Sequence, residues 1–197
     1  VRGRLRTFGV ALVHHPVKNR QGAAIATAIT NLDLHDISRS ALTFGAQCFF
    51  IVHPVHAQRA MVERLVEHWT IGPGGRRVED RRQAMSMIRP AHDLDEALRE
   101  LGSEGPAELW VTSAEGRAGE LAHDEARRRL AEPGPPVLLA FGTGWGLSDA
   151  CMARADVHVA PVVGRGQSGY NHLSVRAAAA ILLDRLTMDR SPFDGSR

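Results

Sequence analysis

Three loop segments, two of them rich in glycine, hold the residues best suited to cradle a ligand. They are Thr112-Ser113-Ala114, Phe141-Gly142-Thr143-Gly144-Trp145-Gly146-Leu147, and the run from Pro161 to Ser174. They gather the chain's one tyrosine, Tyr170, and one of its three tryptophans, Trp145. Glycine lets backbone amides approach a phosphate or a flat ring closely. A dinucleotide fingerprint would need a third glycine where Leu147 stands, and it belongs on the first strand–helix turn of a sheet. A P-loop is excluded, because Lys18 is the only lysine and no glycine-lysine-serine or glycine-lysine-threonine follows a strand. His14-His15 and His53/His56 lack the glutamate or cysteine partners of a zinc site. No strand-to-helix turn carries the glycine-bracketed serine of a hydrolase elbow. The chemistry expected of these loops is therefore binding and positioning by backbone groups.

The elements around them alternate. Buried strands are expected at Thr7–Val13, Phe49–Val52, Leu109–Thr112, Val137–Phe141 and Val157–Ala160, and helices at Ala57–Trp69, Asp93–Leu101, Glu120–Leu130, Ser148–Ala155 and Ser174–Leu186. A further helix, capped by Asp33 or Asp36, runs through Ile37 and Ala41 to Gly45. Gly72-Pro73-Gly74-Gly75 marks Ile71–Val78 as a surface loop, and a short helix should follow Asp80-Arg81-Arg82 to Ile88. Strand–helix alternation means an α/β domain with a parallel sheet and helices on both faces. Ligands in such sheets sit beyond the carboxyl ends of the strands, where the three loops fall.

The chain has 197 residues, 44% hydrophobic and 23% charged, enough for one domain and ordinary for a globular one. The expected core runs from about residue 7 to 187, between a frayed basic arm and a polar tail. The longest apolar run, Ala177–Leu183, is far short of the roughly 20 residues needed to cross a bilayer. Cys48 and Cys151 sit among apolar neighbours and read as buried free thiols of a reducing, cytoplasmic setting. Of the 24 basic residues all but Lys18 are arginine, a side chain whose planar fork suits phosphate.

Three motifs, in order, resemble those of SPOUT-superfamily RNA methyltransferases. The first is Asn31-Leu32-Asp33-Leu34-His35-Asp36-Ile37-Ser38-Arg39-Ser40-Ala41 with Phe44-Gly45; the second is Phe141 to Ser148. The third is Pro161-Val162-Val163-Gly164 with Tyr170-Asn171-His172-Leu173-Ser174-Val175-Arg176 and the alanines beyond. The likeness is to a bacterial RNA-methyltransferase-like subfamily. It implies a deep trefoil knot near the C-terminus, an exception to the un-knotted rule. It also implies S-adenosylmethionine bound in the knot with S-adenosylhomocysteine as product, a homodimer, and an RNA substrate, tRNA before rRNA.

Carried onto this chain, the resemblance implies a cofactor site of Thr112, Ser113, Gly142, Thr143, Gly144, Trp145, Gly146, Val162, Gly164, Tyr170, Leu173 and Ser174. Trp145 either walls the pocket or packs the loop, and Tyr170 either packs the knot or walls the pocket. Arg39 matches the motif-one arginine near the target nucleotide, Asp36 and Asp33 are candidate bases, and Asn171 could orient the acceptor. Gly144 stands where many members have glutamate, and Asn171 to Ser174 is one residue longer than in the ribose-methylating branch. The methylated atom is thus a base nitrogen or a ribose 2′-oxygen.

RNA phosphates would be met by Lys18, Arg20, Arg39, Arg76, Arg77, Arg81, Arg82 and Arg165, together with Arg2, Arg4 and Arg6 of the basic arm. An accessory RNA-binding protein would help recognition. The expected activity is methyl transfer to RNA; the rival is a catalytically silent knotted module that binds RNA or cofactor.

Overall fold

The computed structural model describes residues 6–103 and 105–188. The expected arm with Arg2 and Arg4, and the polar tail after Met188, lie outside the described residues. The order of elements is β1 (Phe8–Val13), β2 (Val17–Lys18), β3 (Ala24–Ile25), α1 (Asn31–Thr43), β4 (Phe49–Val52), α2 (His56–Thr70), α3 (Pro73–Arg77), α4 (Glu79–Ser86), β5 (Ile88–Ala91), α5 (Leu94–Leu101), β6 (Glu108–Thr112), α6 (His123–Ala131), β7 (Val137–Gly142), α7 (Asp149–Ala153), β8 (Val157–Val159) and α8 (Val175–Thr187).

Six strands form one parallel sheet in the order β5-β4-β1-β7-β6-β8, while β2 and β3 make a small antiparallel hairpin. The central strands β1 and β7 are apolar end to end because both their faces are covered. On one face Val10, Leu12, Phe49, Ile51, Leu139 and Phe141 pack with Leu34 and Ile37 of α1, Val62 of α2 and Leu182 and Leu183 of α8. On the other, Ala11, Val13, Phe50, Val52, Leu138 and Ala140 pack with Leu94 and Ala97 of α5 and Met152 of α7. The period of two along each strand sorts its side chains between the two cores.

Helix starts follow side-chain capping. Asp93, Ser148 and Ser174 accept the N–H of Glu96, Cys151 and Ala177 at the heads of α5, α7 and α8. Neither Asp33 nor Asp36 caps α1: Thr30 does, accepting the Asp33 N–H, which moves the start back to Asn31. The glycine-proline segment after α2 is no loop throughout, since Pro73 opens the short α3 and buries Gly74 and Gly75 against α2. The helix expected to reach Ile88 stops at Ser86, because residues 88–91 add the edge strand β5. Proline is tolerated there at Pro90, on the sheet's edge.

Beneath the sheet, Glu108 receives hydrogen bonds from Arg6, Trp110 Nε1 and Arg129. Burial raises its pKa, but the bonds from Trp110 and Arg129 and the nearby arginine charges outweigh this and hold it below the ordinary glutamate range. Arg6 therefore does not serve RNA, since its side chain is 7% exposed and paired with Glu108. Both cysteines are free and buried as expected, and burial pushes the Cys48 thiol up to about 12. At the opposite edge Leu121 pairs with β8 through Leu121 N–H to His158 O (2.7 Å) and Ala160 N–H to Leu121 O (3.0 Å), so the chain after β6 returns along the outside of β8.

Candidate active site

The carboxyl ends of β1, β6 and β7 open into a cleft of about 820 Å³, a size that suits a nucleoside-sized ligand. Its floor is the turn after β7. A Cβ on Gly142 would lie 2.7 Å from the Gly146 carbonyl carbon and closer still to the Leu147 nitrogen, so only glycine lets this turn close. Gly144 and Gly146 have positive φ, at +59° and +97°. The β2–β3 hairpin clamps the turn from outside. Lys18 N–H donates to Gly146 O (2.8 Å), Trp145 N–H donates to Lys18 O (3.0 Å), and Val17 bridges to Leu147. The β2–β3 hairpin thus holds the glycine turn in shape.

Of the expected cofactor residues, Thr112, Ser113, Gly142, Thr143, Gly144, Trp145, Gly146, Val162, Leu173 and Ser174 all line this cleft. Trp145 is exposed at its mouth, which favours the wall over loop packing. Thr112 donates its hydroxyl to Ala140 O at 3.1 Å and is committed to the sheet end. Gly164 and Tyr170 do not line the cleft. Gly164 N–H donates to Asn171 Oδ1 (3.2 Å), and Tyr170 is exposed with its ring edge-on to His172. Asn171 lines the cleft, but its amide also donates to Val162 O (3.0 Å), so it ties the 160–174 loop to itself.

Across from the turn stands an ion pair that spacing could not reveal. Arg176 Nη1 lies 2.6 Å from Asp33 Oδ1, and its Nε lies 3.4 Å from Asp36 Oδ2. Thr30 Oγ1 donates to the other Asp33 oxygen at 2.6 Å. Asp33 and Arg176 both line the cleft, whereas Asp36 does not. The pair joins α1 to α8, and the Arg176 guanidinium has N–H groups beyond those that meet the two carboxylates. Because the Asp33 side chain is 7% exposed and that of Arg176 33%, Arg176→Ala is expected to cost about 2 kcal/mol, between the ranges for exposed and buried pairs. Urea unfolding of this variant checks it, and a change within error would show that packing alone joins the helices.

Arg39 points elsewhere. It is exposed on α1 outside the cleft, near His35, whose pKa is lowered by burial and by the charges of Arg81 and Arg39 against the pull of Asp36. Arg81 lies over the Trp69 ring at 4.9 Å and His35 meets the same ring edge-on. Arg76 and Arg77 are exposed nearby, and Arg82 is exposed and paired with Glu79. These arginines make a basic face on α1, α3 and α4. Arg20 and Arg165 are exposed on separate loops. Lys18 belongs to the cleft, where it reaches Asp149 at 3.4 Å.

A family model described as SAM-dependent RNA methyltransferase matches residues 7–188. The chain belongs to this family. It is 42% identical over 186 residues to a tRNA (guanine-N(1)-)-methyltransferase of Nitratidesulfovibrio vulgaris, covering 93% of this chain and 43% of that protein. The chain thus spans less than half the length of that curated relative. An uncharacterised protein of Aquifex aeolicus is 34% identical over 179 residues, covering 90% of this chain and 86% of its own. Among solved structures, the SpoU methyltransferase AviRb of Streptomyces viridochromogenes, in complex with AdoMet, superposes with a TM-score of 0.53 at 18% identity, over 93% of this chain and 58% of that one. This likeness shows the SPOUT-type fold. S-adenosylmethionine is the family's methyl donor, and the glycine turn, where a single Cβ fills the cradle, fits its adenosyl part. No helix among the described residues is long and apolar enough to cross a membrane.

Proposed function

We propose that the cleft binds S-adenosylmethionine and that the chain transfers its methyl group to a nucleotide of tRNA. The glycine turn at the carboxyl end of β7, closed so tightly that Gly142 admits no side chain, carries this reading. The backbone of residues 142–146 and Leu173 would hold the adenosyl group, with Thr112 and Ser113 at the neighbouring strand end. When bound, the cofactor supplies a methyl carbon already activated by its sulfonium. The protein's own task is then alignment of donor and acceptor. Arg176, held by Asp33, faces the cleft to meet the acceptor nucleotide. Arg39 and the basic face with Arg76, Arg77, Arg81 and Arg82 would hold RNA phosphates further out.

The relative named for tRNA supports tRNA as substrate, and the return of the chain around β8 is consistent with a C-terminal knot. A homodimer, an accessory RNA-binding protein and a cytoplasmic location complete the reading. Calorimetry with S-adenosylmethionine and S-adenosylhomocysteine, beside NADH and AMP as controls, tests the cofactor. Transfer of labelled methyl to undermodified bulk tRNA tests the reaction, and digestion of the product to nucleosides separates base nitrogen from ribose oxygen. Arg39→Ala is expected to leave cofactor affinity unchanged, weaken tRNA binding and lower its salt slope by about one. An unchanged slope would remove Arg39 from the phosphate contacts. Cofactor binding without transfer to any RNA would point to the silent module instead.

A further inference from the structure

His14 follows the last residue of β1, where Val13 is in register with Gly142 at the start of the glycine turn. The residue is buried, 1% exposed, and lines the cleft. The hydrogen bonds around it settle where its proton sits. The Val13 carbonyl can only accept, so Thr143 Oγ1, 3.1 Å away, donates to it. Thr27 Oγ1, 2.5 Å from Thr143 Oγ1, must then donate to that oxygen. With its one proton so directed, Thr27 accepts from His14 Nδ1 at 3.0 Å. The other histidine of the group is fixed as well. His53 Nδ1 accepts the Val55 N–H (3.0 Å), which leaves Nε2 to donate to the Thr27 carbonyl at 3.2 Å.

His14 is therefore the Nδ1–H tautomer, and its Nε2 is a bare lone pair. That atom is buried and has no partner among the described residues. A buried acceptor left unmet costs roughly 1–3 kcal/mol, and nothing in the sheet's own hydrogen bonding calls for it. His14 shares the lining of the cleft with the glycine turn and with Thr27, Asp33 and Arg176.

We infer that His14 Nε2 accepts a hydrogen bond from a proton-bearing atom of the acceptor nucleotide, a base N–H or a ribose O–H, and so selects which edge of that nucleotide meets the methyl donor. The inference rests on the methyl-transfer reading and names its substrate-reading residue. Burial and the neighbouring His53 ring push the His14 pKa down to about 4, against the pull of Asp33, so the lone pair stays available at neutral pH. A ligand lacking a donor at this point leaves the nitrogen unmet and is disfavoured.

Two substitutions separate the two ring nitrogens. His14→Asn keeps a donor near Nδ1 for Thr27 and deletes the acceptor at Nε2; His14→Gln returns an oxygen near Nε2. His14→Asn is expected to bind S-adenosylmethionine as wild type does while kcat/KM for tRNA methylation falls roughly tenfold, and His14→Gln to recover part of it. Transfer by His14→Asn at the wild-type rate, or equal loss of cofactor binding in the folded variant, would overturn the inference. A second readout needs no turnover. In wild-type protein labelled with ¹⁵N-histidine, the His14 Nε2 resonance should move in the hydrogen-bonded direction on titration with undermodified bulk tRNA. An unmoved resonance overturns the inference even if the variants are unstable. Nucleosides from the methylated product tell whether base or ribose provides the donor. If the wild type transfers no methyl group, the methylation reading fails, and the resonance still decides whether His14 meets RNA.

Discussion

Gly142→Ala is expected to weaken S-adenosylmethionine binding by tenfold to about a hundredfold, while Gly146→Ala, in the same turn, loses far less. The added methyl at 142 has no free direction: it meets the Gly146 carbonyl carbon at 2.7 Å and the Leu147 amide nitrogen even closer. Backbone cannot rotate aside as a flexible side chain can, so the turn must open. Opening it strains the Gly146 N–H bond to Thr143 O (3.0 Å) and the clamp from Lys18. Overpacking of this kind costs about 1–3 kcal/mol, a range that brackets the affinity loss stated. At Gly146 a Cβ meets nothing within 4 Å, and only the positive φ is penalised, at about 1 kcal/mol. Calorimetry of both variants, with thermal unfolding to confirm that each is folded, checks the contrast. Equal affinity for the wild type and Gly142→Ala would place the cofactor away from this turn.

Acidification should destabilise the protein through its buried histidines before its carboxylates matter. His14 titrates near 6.5 when unfolded and at about 4 when folded. Between those values the unfolded chain binds more protons, so stability is complete above pH 6.5 and declines as pH falls toward 4. The full gap corresponds to about 3 kcal/mol. His53 and His35 act in the same direction, since burial lowers both. Glu108 and Asp93, whose folded pKa values are depressed, lose their contribution only at lower pH, as they are protonated in the fold. Urea unfolding at pH 7.5, 5.5 and 4.5 should show the decline, and His14→Asn should flatten it. A profile that is level from 7.5 to 4.5 would show that His14 protonates as readily in the fold as in the open chain.

Much of the architecture was legible from residue order. Five of the six sheet strands are legible in the sequence, and β1, β4, β6 and β7 are mostly apolar because burial on both faces demands it. Ser148, Asp93 and Ser174 mark helix heads by a contact only three residues long, and local signals of that kind survive in a one-dimensional reading. The strand at Ile88–Ala91 did not, since Arg89-Pro90 is poor strand sequence and is tolerated only because the segment lies on the sheet's edge. The cap of α1 was misplaced by one turn because Thr30 and Asp33 offer the same chemistry three residues apart.

The site divides the same way. Gly142, Gly144 and Gly146 announced themselves, because a backbone that must turn sharply leaves glycine in the sequence. Arg176 and Asp33 are 143 residues apart and form their pair only when α8 packs on α1. His14 reads in sequence as an ordinary loop histidine. Its buried, unprotonated nitrogen exists only because β1, the segment before α1 and the turn after β7 bring Val13, Thr27 and Thr143 into one line of hydrogen bonds. Amino-acid order determined five of the strands, the glycine turn and the family; the direction of that proton was decided by tertiary contact, since a hydrogen bond's polarity depends on every partner along the chain of donors and acceptors.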